Sequence, residues 1–448
     1  MTTLNTLSNK PATPVESGSP PFNIMGLLRR TGVFVITSVV ALLALIVAVP
    51  IGLLFVVTSV PILISIGLAV VYIAVVVMIT FVLPHTPTTI LLALLGLVVI
   101  SGLAVVLSQG FASTPPITDA NGQPIPNSIA SLERITLRDS QQWVTIRGND
   151  MNNPVLLFLA GGPGGSELVM TRRYLAELEQ HFVVVNWDQP GAGKSYNAVE
   201  IATLTPERYV ADAYELTQTL RERFHQDKIY VLGESWGSIL GVWLVQAHPD
   251  LFYAFISTGQ MVNTTEDDVM GYEFAINVLT EQGKTEQAET LRRNLAPPYT
   301  GDGMALRYIA YITVLDGYMR TNAQGEGGNP NLLFDSLAAP EYGLLDKVNW
   351  VRGLSDGFTE VYPQIADLDF TTQATQFELP VYFIVGRWDV NAMTSLTEEY
   401  FAVLEAPDKQ LIWFENSGHT PMVEEPAHFV DVMVNTVLAE TLPPTQDE

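Results

Sequence analysis

Cysteine is absent from the 448 residues, which excludes disulfides, thiolate metal sites and a cysteine nucleophile. Charge is almost missing from the first quarter: residues 1–110 hold only Lys10, Glu16, Arg29 and Arg30, and nothing charged falls between Val33 and Leu83. Basic side chains are scarce in the remainder, where 338 residues carry 19 basic against 46 acidic groups, a net of −27. So acidic a section repels phosphate, which disfavours nucleic acid or an anionic lipid surface as its ligand and suits small neutral or cationic substrates. Most of that charge is also what keeps a large domain dissolved.

The uncharged run is too long for one membrane crossing. Its 51 residues would make a helix of about 77 Å, against a hydrocarbon core of roughly 30 Å. A break at Thr58 to Pro61, where proline cannot continue a helix, gives two spans. "LPHTPTT" (Leu83 to Thr89) makes a polar turn, and Ile90 to Leu107 gives a third. A cleaved leader fits poorly, because about 30 mostly polar residues precede the run and more apolar sequence follows. Arg29-Arg30, the basic pair beside the first span, predicts a cytoplasmic N-terminus, so that three crossings place the rest outside the cytoplasm. An even number would place it inside. The spans hold no charge of the kind that marks a transport path.

The chain divides into a polar tail (1–30), a membrane section (31–110) and a Pro/Gly/Asn-rich linker (111–130). Beyond these, 131–263 and 379–448 form a core interrupted by a helical cap over 264–378. In the core, "LERITLR" and "QQWVTIRG" alternate around Asp139-Ser140 and predict a hairpin. Apolar runs follow at 154–160, 182–187, 228–233, 254–259, 380–386 and 410–415, too continuous for half-exposed strands. They suit a mostly parallel sheet covered by helices on both faces. Helical patterns lie near 168–180, 207–224, 236–247, 394–405 and 425–440. Ligands of open α/β sheets bind at the carboxyl ends of the strands, where the cap would sit.

Gly233-Glu234-Ser235-Trp236-Gly237 fits G-x-S-x-G between a strand and a helical pattern. That turn presents a serine hydroxyl, which then needs a base and an acid to orient it. His419, in "ENSGHTP" after the last strand, is the base; His85, His181, His225, His248 and His428 sit between spans, at helix ends or inside a helix. Asp389, just past the preceding strand, is the acid, giving the chain order Ser…Asp…His. Asp250 and Asp268 come too early in that order. Backbone N–H groups of Gly161, Gly162 and Trp236 are the expected oxyanion donors, because Pro163 in "AGGPGG" has none. Serine chemistry of this kind requires no cofactor, and no metal site is visible.

Together these motifs resemble the proline iminopeptidase family of α/β-hydrolases. The family's His-Gly-Gly-Pro-Gly loop stands here as "AGGPG", its Asp-Gln-Arg-Gly-x-Gly-x-Ser loop as "DQPGAGKS" (Asp188 to Ser195), its elbow as "GESWGS" and its terminal motif as "SGH". The likeness spans about 150 to 440. It implies an α/β-hydrolase fold with a helical cap and hydrolysis through an acyl-enzyme on Ser235, with His419 and Asp389. It also implies acidic cap residues that hold a free α-amine, for which Glu266, Asp268 and Glu273, with Asp267, are candidates by position. Ala160 and Pro190 replace the family's histidine and arginine, which leaves the substrate open. The expected activity is that of a membrane-anchored aminopeptidase on short peptides. The alternatives are an ester or lipid hydrolase with the same triad, and a non-catalytic binding ectodomain.

Overall fold

The computed structural model describes residues 24–84, 86–328 and 331–443. The first 23 residues of the expected tail and the turn residue His85 lie outside them, and the tail's remaining residues, 24–30, already belong to the first helix. Three long apolar helices come first: α1 (Ile24–Val57), α2 (Ile62–Val77, prolonged by a π-turn over Met78–Val82) and α3 (Pro87–Gly110). Their stretches Thr37–Val57, Ile62–Val82 and Pro87–Gly110 are each long and apolar enough to cross a membrane. Pro61 separates the first two, and Thr86 caps the third by accepting from Thr89 N–H at 3.2 Å. Two polar groups between the helices are satisfied by backbone: Ser101 donates to the Val47 carbonyl and Tyr72 to that of Ala44, whereas the buried Ser65 hydroxyl has no partner among the described residues.

Eight strands form one sheet in the order β1-β2-β4-β3-β5-β6-β7-β8 among the described residues. β1 (Ile129–Leu137) and β2 (Ser140–Gly148) make the hairpin, with Leu137 opposite Ser140. β2 joins β4 (Val183–Asp188) antiparallel, and from there the ladder is parallel. Its members are β3 (Val155–Leu159), β5 (Ile229–Glu234), β6 (Phe252–Thr258), β7 (Val381–Gly386) and β8 (Lys409–Phe414). Every residue of β3, β4, β5 and β7 is buried. That is why these strands read as unbroken apolar runs: helices cover both faces.

The helix expected over 168–180 is instead α4 (Met170–Tyr174) followed by a 3₁₀ turn at Ala176–Gln180, because Leu175 leaves helical geometry at φ −124°, ψ 32°. α5 (Pro206–Phe224) is capped by Thr205 and ends on His225 in the left-handed region. α6 (Trp236–Ala247) follows β5 and ends at His248, which stacks on Tyr214 at 4.1 Å. Between β6 and β7 lies the helical cap: α7 (Thr264–Glu281), α8 (Thr285–Arg293), α9 (Met304–Asn322), α10 (Leu332–Ala338) and α11 (Leu344–Val361).

The segment after α3 is bolted down. Arg147, on β2, pairs with Glu179 at 2.7 Å and donates to Thr114 Oγ1 at 2.8 Å and the Pro115 carbonyl at 2.5 Å. Thr114 in turn donates to Glu341 of the cap at 3.0 Å, and Glu341 also receives Arg172 at 2.7 Å. The segment after α3, the sheet and the cap therefore share one buried polar network.

Candidate active site

Ser235 sits on the turn between β5 and α6 with φ 53° and ψ −119°, a conformation that L-residues with a side chain rarely adopt. Small neighbours permit the bend. A Cβ on Gly233 would stand 2.3 Å from the Gly237 carbonyl oxygen, and one on Gly237 would stand 1.9 Å from that of Leu159. The turn is held by Ser235 N–H donating to Thr258 O at 3.0 Å and by Ser238 Oγ donating to Ser235 O at 2.6 Å.

Asp389 follows β7 and is 3% exposed. Its Oδ1 accepts from the N–H groups of Asn391 (2.9 Å) and Ala392 (3.0 Å), leaving Oδ2 to meet His419 Nδ1 at 2.9 Å. His419 lies in the loop after β8. That loop is fixed by Glu425, which accepts from Ser417 Oγ at 2.7 Å, and by Glu424, which accepts from Gly418 N–H at 2.7 Å. The imidazole lies so close to Gly259 that a Cβ there would be 2.8 Å from its Cε1. A hydroxyl on a strained turn and an imidazole oriented by a buried carboxylate are the parts from which a serine activated for attack on a carbonyl can be built.

Ser235 and His419 line one cavity of about 230 Å³, which also includes Gly161, Gly162, Glu167, Glu234, Trp350 and Leu354. A smaller lobe of about 70 Å³ meets it at Gly162, Ser235 and Asn391 and is walled by Asp267, Asp268, Tyr308, Tyr311, Phe358 and Tyr362. The expected oxyanion loop therefore lies beside the expected nucleophile, with Gly162 at φ 135°. Gly161 is differently occupied: its N–H stabilises the charged forms of both Glu234 and Glu167.

Of the acidic residues expected to hold an amine, Asp268 reaches the site and Asp267 accompanies it. Glu266 and Glu273 are exposed and line neither lobe. Asp268 accepts the hydroxyls of Tyr308, Tyr311 and Tyr362, each at 2.9 Å. Burial pushes it up to about 6, with the three hydroxyls pulling the other way. Asp267 accepts Met393 N–H at 2.7 Å, and burial raises it well above the usual carboxylate range.

Sequence reasoning missed Glu167 and Glu234. Both are raised chiefly by burial, Glu234 to about 7. The signal was there in a carboxylate ending an otherwise apolar strand. Burial works to lower His419, yet the carboxylates of Asp389, Glu234 and Asp316 outweigh it and push the imidazole up to about 10. Gln189 was missed too: it donates to the Ala160 carbonyl at 3.1 Å and accepts the Trp236 indole N–H at 2.9 Å, tying the two loops to the elbow.

A family model described as "alpha/beta hydrolase fold" matches residues 154–295. The chain is 33% identical to the probable aminopeptidase YbaC of Bacillus subtilis (strain 168), over 69% of this chain and 97% of that one. It is 26% identical to the probable proline iminopeptidase of Leptolyngbya boryana, covering 61% of this chain and 84% of the relative. Among solved structures, the proline iminopeptidase of Mycobacterium smegmatis superposes with a TM-score of 0.51 at 19% identity, over 70% of this chain and 99% of that one, a likeness of fold.

Proposed function

This chain belongs to the proline iminopeptidase-like family of α/β-hydrolases, and from that premise we propose that it is a membrane-anchored serine aminopeptidase acting on short peptides. The observation that carries the reading is the position of His419, hydrogen-bonded to Asp389 and sharing one cavity wall with Ser235. Ser235 Oγ attacks the scissile carbonyl and its proton passes to His419 Nε2. Asp389 stays ionised and orients the Nδ1–H. The N–H groups of Gly162 and Trp236 receive the oxyanion, a donor of this kind being worth about 2.7–4 kcal/mol. His419 then gives its proton to the leaving amine, and water, with His419 again as base, releases the acyl group from Ser235.

The small tyrosine-walled lobe takes the N-terminal residue. Asp268 supplies the counter-charge for its α-ammonium, and the larger lobe takes the departing chain. The three apolar helices cross the membrane, with the N-terminus cytoplasmic and the hydrolase outside. The family's usual histidine and arginine are replaced by Ala160, which packs in the core, and by Pro190, whose carbonyl accepts the Tyr209 hydroxyl at 3.0 Å.

Purified full-length protein in detergent tests the substrate class. Free proline anilide should turn over and N-acetylproline anilide should not. Equal turnover of both, or hydrolysis confined to short-chain esters, would move the assignment to the esterase alternative.

A further inference from the structure

The cap carries an apolar ridge where a soluble surface should be polar. On α11, Leu345, Val348 and Val351 are each more than half exposed, and on α10 Leu333 and Phe334 are exposed as well, Phe334 at 65%. Steps of three residues along a helix make one inclined ridge. The ridge continues to Leu354, 39% exposed, and ends there, because Ser355 and Thr359 are the exposed positions beyond it.

Its position gives it an occupant. Leu344, at the start of α11, is buried in one apolar cluster with Leu54, Leu97 and Ala104 of the membrane helices. Leu344 N–H donates to Ser108 Oγ at 2.9 Å, and Ser59 Oγ, from the α1–α2 turn, donates to the Pro340 carbonyl at 3.0 Å. The ridge thus starts where two spans end, on one side of the bilayer. Along the ridge itself the charges are turned inward, with Lys347 Nζ donating to the Ala339 carbonyl at 2.7 Å and buried Asp335 paired with Arg173 at 2.6 Å, while the exposed Arg352 marks the ridge's far end. An apolar ridge at the end of membrane spans matches the interfacial layer of a bilayer, where its side chains leave water.

The same helices reach the chemistry. Leu332 of α10 and Trp350 and Leu354 of α11 line the larger lobe. Farther along, α11 packs on the oxyanion loop so closely that a Cβ on Gly164 would stand 2.0 Å from the Gly353 carbonyl oxygen.

We propose that the α10–α11 ridge is bedded in the lipid interface and that the active-site cavity opens there, so that the enzyme draws substrates carrying an apolar chain from the membrane. This rests on the reading of α1–α3 as membrane spans and of Ser235 as nucleophile, and it goes beyond that reading in naming where substrate enters.

The absence of native cysteine allows single labels. V70C on α2, V348C on the ridge and T359C on the polar part of α11 would carry nitroxides on the full chain in phosphatidylcholine nanodiscs. Relaxation by oxygen is then compared with relaxation by a water-soluble nickel chelate. The proposal expects Val348 to fall between Val70 and Thr359, with oxygen favoured over the chelate, and Thr359 to favour the chelate. Val70 in lipid with Val348 matching Thr359 overturns the docking alone, and Val70 in water overturns the membrane reading and the docking together. For entry, V348D/V351D should raise KM at least tenfold for a prolyl peptide bearing a C-terminal hexadecylamide while leaving soluble proline anilide unchanged. An equal effect on both substrates, or on neither, overturns the entry route. Wild type that cleaves neither substrate overturns the peptidase reading itself and leaves the label result to decide the docking.

Discussion

His419 Nε2 lies 3.8 Å from Glu234 Oε1, on the opposite edge of the ring from Asp389, which its Nδ1 meets at 2.9 Å. The imidazole is therefore held between two buried carboxylates, and one of them belongs to the residue immediately before Ser235. A second negative charge at Nε2 stabilises the imidazolium, which cannot act as a base.

The pH profile should show it. Wild-type kcat/KM should rise along an acid limb above the ordinary imidazole value of 6.5, because carboxylates push His419 up. Glu234→Gln removes one of them, so that limb should move to lower pH by about one unit or more, a change of about 1.4 kcal/mol per unit. An unmoved limb would mean that Glu234 does not control the proton on His419.

Stability gives a second reading of the same residue. Burial raises Glu234 from 4.5 to about 7 in the folded chain. A carboxyl raised on folding contributes stability that is fully present below its unfolded value and is lost as pH rises through the folded one. The Gln variant should thus gain thermal stability relative to wild type between pH 5 and pH 8. A constant difference across that window would contradict the assignment.

Gly237→Ala should destabilise the elbow, because the new Cβ would meet the Leu159 carbonyl oxygen at 1.9 Å and backbone cannot swing aside. Overpacking of this kind costs about 1–3 kcal/mol, occasionally more. The readout is the unfolding midpoint in detergent.

Asp268→Asn should raise KM for free proline anilide by about tenfold or more, since hydrogen bonds to charged groups contribute about 1.5–3 kcal/mol. Ester hydrolysis should hardly change. If both fall together, Asp268 acts through the tyrosine cage that it organises and not on the substrate amine.

Arg147→Ala strands Glu179, 3% exposed, without its partner. Breaking a buried pair from one side costs about 3–5 kcal/mol, whereas replacing both partners by apolar residues is often neutral. The paired variant Arg147→Met with Glu179→Leu should therefore recover much of the lost midpoint.

The parallel strands were legible because burial on both faces leaves an unbroken apolar run, as in Val155 to Leu159. The elbow was legible because its glycines are dictated by carbonyls that any Cβ would strike, that of Gly237 at Gly233 and that of Leu159 at Gly237, and so recur as a short pattern. What the sequence hid is long-range. Glu234 reads as one letter of a motif until Glu167, 67 positions earlier, is brought to the same cavity. The network from Arg147 through Thr114 to Glu341 joins three sections, and no periodicity encodes it. The α11 ridge was hidden for the same reason. Leu345, Val348 and Val351 look like core positions until the fold turns them outward beside the three apolar helices.

The most direct test is a single-turnover measurement with a chromogenic proline anilide on the full-length protein, with Ser235→Ala beside it. The account predicts that rapidly quenched wild type carries a prolyl adduct on Ser235 by peptide mass spectrometry. It also predicts that the variant loses turnover by a factor on the order of 10⁶, as for nucleophile removal in other serine hydrolases. Anilide cleavage that survives unchanged in Ser235→Ala, or an adduct at another residue, would contradict it.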